Sequence, residues 1–199
     1  LVTVDRTTPP AGGIPAIAAG FQSFSNGENG TVTLTHVREA LDALLELDIQ
    51  IVLVVGLPFS QIKAALLGHV EQTENLGRER IAIVGADSSE VAKILENAND
   101  VADKRLVLVA PGLRERNPNT GQLLVLPPWY AAAVIAGRLS SFSPHISLTN
   151  KTLAGIEALA LDYNYGELKA LVQNRVLALQ RKRGIRVVRG VSTDDGAFF

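Results

Sequence analysis

The clearest pattern in the chain is an alternation of short apolar runs with longer stretches that are apolar on one side only. Ile49–Val55 (IQIVLVV) is an almost unbroken β-branched run, as expected of a strand buried on both faces. Gly56-Leu57-Pro58 ends it, and Ser60 is placed to cap a helix whose Ile62, Leu66 and Val70 share one side. Gly77 stops that helix, and Ile81–Val84 is the next strand. Asp87-Ser88-Ser89-Glu90 fits a capping box for a helix carrying Val91, Ile94, Leu95 and Ala98. Leu106–Val109 is a third apolar strand, closed by Pro111-Gly112. Three buried strands separated by two amphipathic helices predict parallel pairing through crossover helices. The fold class is therefore α/β: an open, mostly parallel sheet with helices on both faces, preceded by an irregular Pro/Gly-rich segment.

The flanks are less regular. Leu1–Val4 alternates like a short strand, Thr7–Gly20 reads as an irregular connector, and Phe21–Gly30 is turn-rich. Thr31–Leu34 is briefly strand-like, and Thr35 is placed to cap a helix running to Leu47, with Val37, Leu41, Leu44 and Leu45 inward. After the third strand, Arg114–Gly121 (RERNPNTG) reads as an exposed loop and Leu123–Leu126 as a strand. Pro128 suits the first turn of a helix that runs through Trp129 and Ile135 to about Leu139. Ser140–Asn150 is a loop, and Thr152–Ala160 has no clear period. Gly166–Arg183 predicts a long helix with Leu168, Leu171, Val172, Val176 and Leu179 inward and Gly184 as its stop. Ile185–Val191 is the last strand.

Composition narrows the class without naming it. At 199 residues, 47% hydrophobic and 20% charged, the chain has ordinary globular usage and enough length for one good core. A net charge of −1 supplies no global field for nucleic acid or anionic lipid. Zero cysteines remove disulfides and thiolate chemistry. The longest apolar run, Ala131–Ala136, is far too short to cross a bilayer, and Leu1–Asp5 has no basic, then apolar, leader pattern. There is no Met, even at position 1, which predicts a piece cut from a longer protein.

Candidate chemistry is sparse. The strand-end turns at Gly56 and Gly85 are where a parallel sheet gathers ligands, yet neither carries a phosphate-binding glycine pattern. The three histidines, His36, His69 and His145, share no metal-ligand spacing and follow no nucleophile elbow. Ser60, Ser88 and Ser89 read as caps. Asp194-Asp195 follows Ser192-Thr193 at a strand end, but adjacent residues on an extended chain point apart and Gly196 signals a turn. No catalytic, cofactor or metal residue is assigned. Arg181, Lys182, Arg183, Arg186 and Arg189 form a basic cluster without interleaved aromatics, and its first three members are expected in the last turn of a helix. Its sharper reading is a charged subunit contact.

Five segments, in order, resemble the central α/β domain of phage contractile tail sheath proteins, often called subtilisin-like. They are Phe24–Pro58 (FSNGENGTVTLTHVREALDALLELDIQIVLVVGLP), LVLVAPG at 106–112, LPPWYAAAVIAGRLSS at 126–141, SPHISLTNKTLAGI at 143–156 and GIRVVRGVSTDDGAFF at 184–199. The last is the most specific. On this resemblance 24–199 is the sheath domain, and 1–23 is a connector or the end of an inserted domain. Two departures stand out: Ser140–Asn150 lacks a basic-tryptophan signature, and no C-terminal handshake domain is present.

The resemblance implies a structural, non-enzymatic role. Sheath subunits polymerise as stacked rings, hexameric by resemblance, around a tail tube above a baseplate. They contract to drive the tube through the host envelope, drawing on a metastable assembly and strand-adding arms. Itself, the tube and the baseplate are then the partners, with no cofactor, nucleic acid or membrane insertion. The place would be the virion tail, after synthesis in the host bacterial cytoplasm. Two alternatives remain open: the sheath of a phage-derived, pyocin-like injection device, and an α/β enzyme domain binding a nucleotide or small molecule.

Overall fold

A computed structural model describes residues 30, 32–143 and 145–194. The chain divides into two units, Leu1–Thr31 and Val32–Phe199, and the elements described here all belong to the second. The expected Leu1–Val4 strand, the Pro/Gly-rich connector and Asp195-Gly196 lie outside the described residues.

In chain order the elements are α1 (Leu34–Ala43), β1 (Ile51–Leu53), α2 (Phe59–Asn75), β2 (Ile81–Gly85), α3 (Val91–Asn99), β3 (Leu106–Ala110), β4 (Leu113–Arg116) and β5 (Leu123–Leu126). They continue with α4 (Pro128–Ser140), β6 (Thr152–Leu153), β7 (Ala158–Leu159), α5 (Tyr165–Gln173), β8 (Leu177–Arg181) and β9 (Ile185–Val187). Six strands form one sheet in the order β1-β2-β3-β8-β9-β6. The first four are parallel, and β9 runs antiparallel to both β8 and β6. A second sheet, β5-β4-β7, is antiparallel.

The period-2 geometry of the central strands separates two cores. Ala82, Val84, Leu106, Leu108, Ala110, Val176 and Ala178 point to one face, against Leu41 of α1, Phe59, Ile62 and Leu66 of α2, Ile94 of α3 and Leu171 of α5. Ile83, Val107, Val109, Leu177 and Leu179 point to the other, against Ala131, Ala132 and Ile135 of α4. Leu113, Leu153, Leu159, Ile185 and Val187 complete that second core. Helices thus cover both faces of a mostly parallel sheet, as the alternation of runs predicts.

Several elements differ from the expectation, each for an identifiable reason. The predicted helix Gly166–Arg183 breaks at Gln173, and Leu177–Arg181 becomes an inner strand between β3 and β9. Arg175 takes φ +64°, Arg175 N–H bonds Val172 O, and Val176 N–H bonds Leu171 O, closing the helix with the two bonds of a Schellman turn. Arg114–Gly121 is not a free loop: Leu113–Arg116 pairs with Leu123–Leu126 in a hairpin. Ile49–Val55 yields only Ile51–Leu53, at the sheet edge, and Val55 is 55% exposed. Ile185–Val191 likewise shortens to Ile185–Val187.

The caps move as well. Thr33, not Thr35, caps α1: its hydroxyl accepts from His36 N–H while His36 Nδ1 accepts from Thr33 N–H. Of the expected Thr31–Leu34 strand, Val32 and Thr33 are not in a strand, Leu34 is already helical, and Thr31 lies outside the described residues. α1 ends at Ala43 because the carbonyls that would extend it are taken by arginines from the far side of α2. Arg78 donates to Leu45 O at 2.8 Å, and Arg80 to Leu44 O at 2.8 Å and Leu47 O at 2.7 Å. Ser60 and the Asp87–Glu90 segment do not supply caps of their own helices, which begin after Pro58 and Glu90 without side-chain caps.

Candidate subunit-contact surface

The carboxyl ends of the parallel strands are occupied by structural bonds. Asp87, just past β2, accepts from Ser60 N–H at 3.1 Å, so it satisfies the first turn of α2 from a distance. It also exchanges two 2.9 Å bonds with the Asn97 side-chain amide. Ser89 Oγ accepts from Gly112 N–H, and Tyr163 Oη donates to Ser89 O at 2.7 Å. Gly85 lies so close to α4 that a Cβ there would sit 2.2 Å from Pro128 C and Trp129 N. The turn after β2 is therefore filled by the first turn of α4, where a ligand would otherwise sit. Gly56 turns the chain at φ +84° with open space around it.

The histidines fall on three elements: His36 in the α1 cap, His69 in α2, and His145 exposed in the loop after α4. Among the described residues no group of three or more His, Asp or Glu could hold a metal ion. Likewise, no helix is long and apolar enough to cross a membrane. His69 is 3% exposed, and its Nε2 faces Nη1 of Arg80, itself 1% exposed, at 2.9 Å. A guanidinium only donates, so Nε2 must accept and the ring is neutral with its proton on Nδ1. Burial first, and the Arg80 charge second, lower the His69 pKa below its ordinary 6.5, while Asp42 opposes them.

A pH dependence follows. The stability tied to His69 is complete above pH 6.5 and is lost as pH falls through that value toward the lowered folded pKa. The charged groups around it are Arg80 beneath and Arg38 and Asp42 across the α1–α2 groove. The urea midpoint should drop on acidification from about pH 7.5 to about pH 5. His69→Gln keeps an acceptor for Arg80 but cannot titrate, so its profile should be flatter over that window. Parallel profiles for the two proteins would refute the assignment.

The Ser192-Thr193 turn is also structural. Thr193 N–H donates to Leu106 O, and its hydroxyl both accepts from Asp103 N–H and donates to Asp103 O at 3.0 Å. These bonds stitch the final turn to the start of β3. Asp194 is half-buried there, and Asp195 lies outside the described residues.

The basic cluster sits on the β8–β9 hairpin, not in a helix. Arg181 closes β8 opposite Ile185 and pairs with Asp162 at 3.2 Å. Lys182 and Arg183 are exposed at the turn, where Arg183 takes φ +52° and Gly184 φ +96°. Arg186 lies opposite Gln180 and reaches Asn150 Oδ1 at 3.4 Å, and Arg189 is exposed just beyond β9. Four of the five thus lie on the β8–β9 hairpin itself, and Arg189 lies just beyond it. Sequence reasoning missed a second surface. β5 is the outer strand of the small sheet, and its Leu123, Leu124 and Val125 are 47%, 41% and 65% exposed. The apolar run is plain in the sequence, but nothing local says that it lies at an edge.

Comparison with known proteins decides the family. Residues 30–193 match the phage tail sheath protein central domain. This chain belongs to the phage tail sheath family. The tail sheath protein of Bacillus phage SP01 is 32% identical over 181 residues, 87% of this chain and 31% of that protein. The tail sheath protein of Mycobacterium phage Bxz1 is 28% identical over 174 residues, 84% of this chain and 30% of that protein. The sheath domain therefore spans about three-tenths of the length of these curated relatives. Its fold is shared with the sheath tail protein from Desulfitobacterium hafniense, at TM-score 0.66 and 17% identity over 85% of this chain and 37% of that one. It is shared too with the anti-feeding prophage helical sheath in its contracted state, at TM-score 0.54 and 12% identity over 83% of this chain and 44% of that one. In this tail sheath domain the basic β8–β9 hairpin belongs to the same sheet as β2 and β3.

Proposed function

We propose that this chain acts within a contractile tail sheath that polymerises around a tail tube and shortens to drive the tube through a bacterial envelope. The observation that carries the reading is the sheath-domain match over residues 30–193. The role is mechanical, with no catalytic step: the free energy resides in the extended assembly and is released when subunits rearrange about their neighbours. Its partners are further copies in stacked hexameric rings, the tube and the baseplate. The protein is made in the host cytoplasm and functions in the virion tail. In this reading residues 24–199 are the sheath domain and 1–23 a connector. Arg181, Lys182, Arg183, Arg186 and Arg189 are subunit-contact residues.

Two surface features support self-association. The exposed apolar β5 leaves one row of backbone donors and acceptors facing outward, which a soluble monomer ordinarily blunts with charge or proline. The basic hairpin gives a second, polar contact. The test is to express the complete reading frame that encodes this chain and view the product by negative-stain electron microscopy. Hollow ringed tubes are the expected result. Discrete monomers or dimers at every salt and protein concentration would overturn the reading.

A further inference from the structure

The net charge of −1 conceals a strong segregation. Residues 32–105, which carry α1, β1, α2, β2 and α3, hold twelve Asp and Glu against seven Lys and Arg. Residues 106–194 hold five against eleven. The two portions thus differ by eleven charges, −5 against +6, inside one nearly neutral domain. The sheet order turns this into a spatial separation. β1 and β2 lie at one side, while β8, β9 and β6 lie at the other.

Local ion pairs consume part of this charge. Glu74 binds Lys104 and Arg105, Glu79 binds Arg105, and Asp100 binds Lys63. On α1, however, Glu39 and Asp42 are exposed one turn apart, with Glu46 in the turn beyond, its side chain 90% exposed and only loosely paired with Arg78 at 3.6 Å. Glu71 of α2 is exposed as well. A groove of about 260 Å³ runs between α1 and α2, walled on the α2 side by Ala64, Ala65 and Gly68, small enough for a neighbouring chain to approach closely. His69 lines it, 3% exposed, with an Nδ1 that has no partner among the described residues. Because Arg80 fixes the tautomer, that nitrogen is a donor lacking an acceptor. Arg38 and Asp42 line the groove from α1, and with Glu39 and Glu46 counted against Arg38 the α1 side stays net negative, while the His69 Nδ1 asks for an oxygen acceptor within.

The β8–β9 turn supplies the cations: Lys182 and Arg183 are exposed there. We propose that the β8–β9 turn of one copy docks at the α1–α2 groove of the next, against the acidic residues of α1, joining sheath domains head to tail. The inference rests on the sheath reading above and specifies which surfaces meet. Such a contact is heterologous, so repetition closes a ring or propagates a helix according to the rotation between copies.

The test uses the purified chain and two paired charge reversals at exposed positions, Lys182→Glu with Arg183→Glu, and Glu39→Lys with Asp42→Lys. Sedimentation velocity of the wild type should show association at about 50 mM salt that weakens at least about tenfold by about 500 mM, as screening shortens the electrostatic reach. Each variant alone, shown folded by circular dichroism, should remain monomeric, and an equimolar mixture of the two should associate again. Wild-type protein that stays monomeric at low salt, variants that associate as the wild type does, or a mixture that fails to recover would each overturn the docking. Sheath tubes from the complete reading frame that ignore these substitutions would overturn it too, while leaving the sheath reading intact.

Discussion

Arg80→Met is expected to be the most damaging single substitution in the domain. Arg80 is 1% exposed, and its guanidinium donates to three close acceptors, His69 Nε2 and the carbonyls of Leu44 and Leu47, with Leu45 O a longer fourth at 3.4 Å. Burying a cation costs several kcal/mol, and replacing whole buried ion pairs by apolar groups can be neutral or stabilising. That relief does not carry over here. The acceptors are backbone and imidazole groups that stay behind when the cation is removed. Each orphaned acceptor costs about 1–3 kcal/mol, so a net loss of about 3–5 kcal/mol is expected after the desolvation gain is set against it. Lysine at the position should recover only part of the loss, because one ammonium cannot fork to three acceptors in this geometry. Urea unfolding followed by circular dichroism measures it. A loss under about 1 kcal/mol for the Met variant would mean that α1 is held by other contacts.

Gly85→Ala should approach the same magnitude by a different route. The added Cβ would meet Pro128 C and Trp129 N at 2.2 Å and Pro128 O at 2.6 Å, all backbone atoms at the start of α4. A flexible side chain could swing away, whereas here a helix must shift off the sheet. Overpacking ordinarily costs about 1–3 kcal/mol, and the upper end, about 3 kcal/mol, is expected where backbone is struck. Gly137→Ala is a natural control. That glycine is exposed within α4 with nothing within 4 Å of the added atom, so the identical change should stabilise by about 0.5–1 kcal/mol. Trp129 is the chain's single tryptophan and sits at the collision, so its emission should shift in the first variant and not in the second. The same sign of stability change in both would refute the steric account.

The parts of the fold that could be read from sequence are those where chemistry and punctuation coincide. IAIVG and LVLVA are apolar at both parities, which fits strands buried on both faces, and a glycine or a Pro-Gly turn follows each. Gly77 closes α2 with φ +68° and visible intent. Asn174-Arg175 performs the same closure after α5 without a glycine, so LKALVQNRVLALQRKRG kept its helical period and β8 stayed hidden within it. A four-residue apolar stretch such as VLAL cannot be assigned to helix or strand by period alone. The RERNPNTG stretch failed differently: only Leu113 of β4 is buried, leaving a strand that reads as polar loop. The basic cluster was legible as composition. Its placement on a hairpin was not, because that followed from where β8 lies.

The position of β8 has a consequence for how the protein is made. On the ribosome, β1, β2 and β3 leave first, and the strand that pairs with β3 follows only after residues 111–176. At about 5–20 residues per second, translation leaves the β3 edge without its partner for several seconds. During that interval an apolar strand buried on both faces in the finished domain offers a bare ladder to any other nascent chain. In a cell producing many copies at once, crowded polysomes would be the point of greatest danger, and a holding chaperone at that stage would act on β3 before anything else.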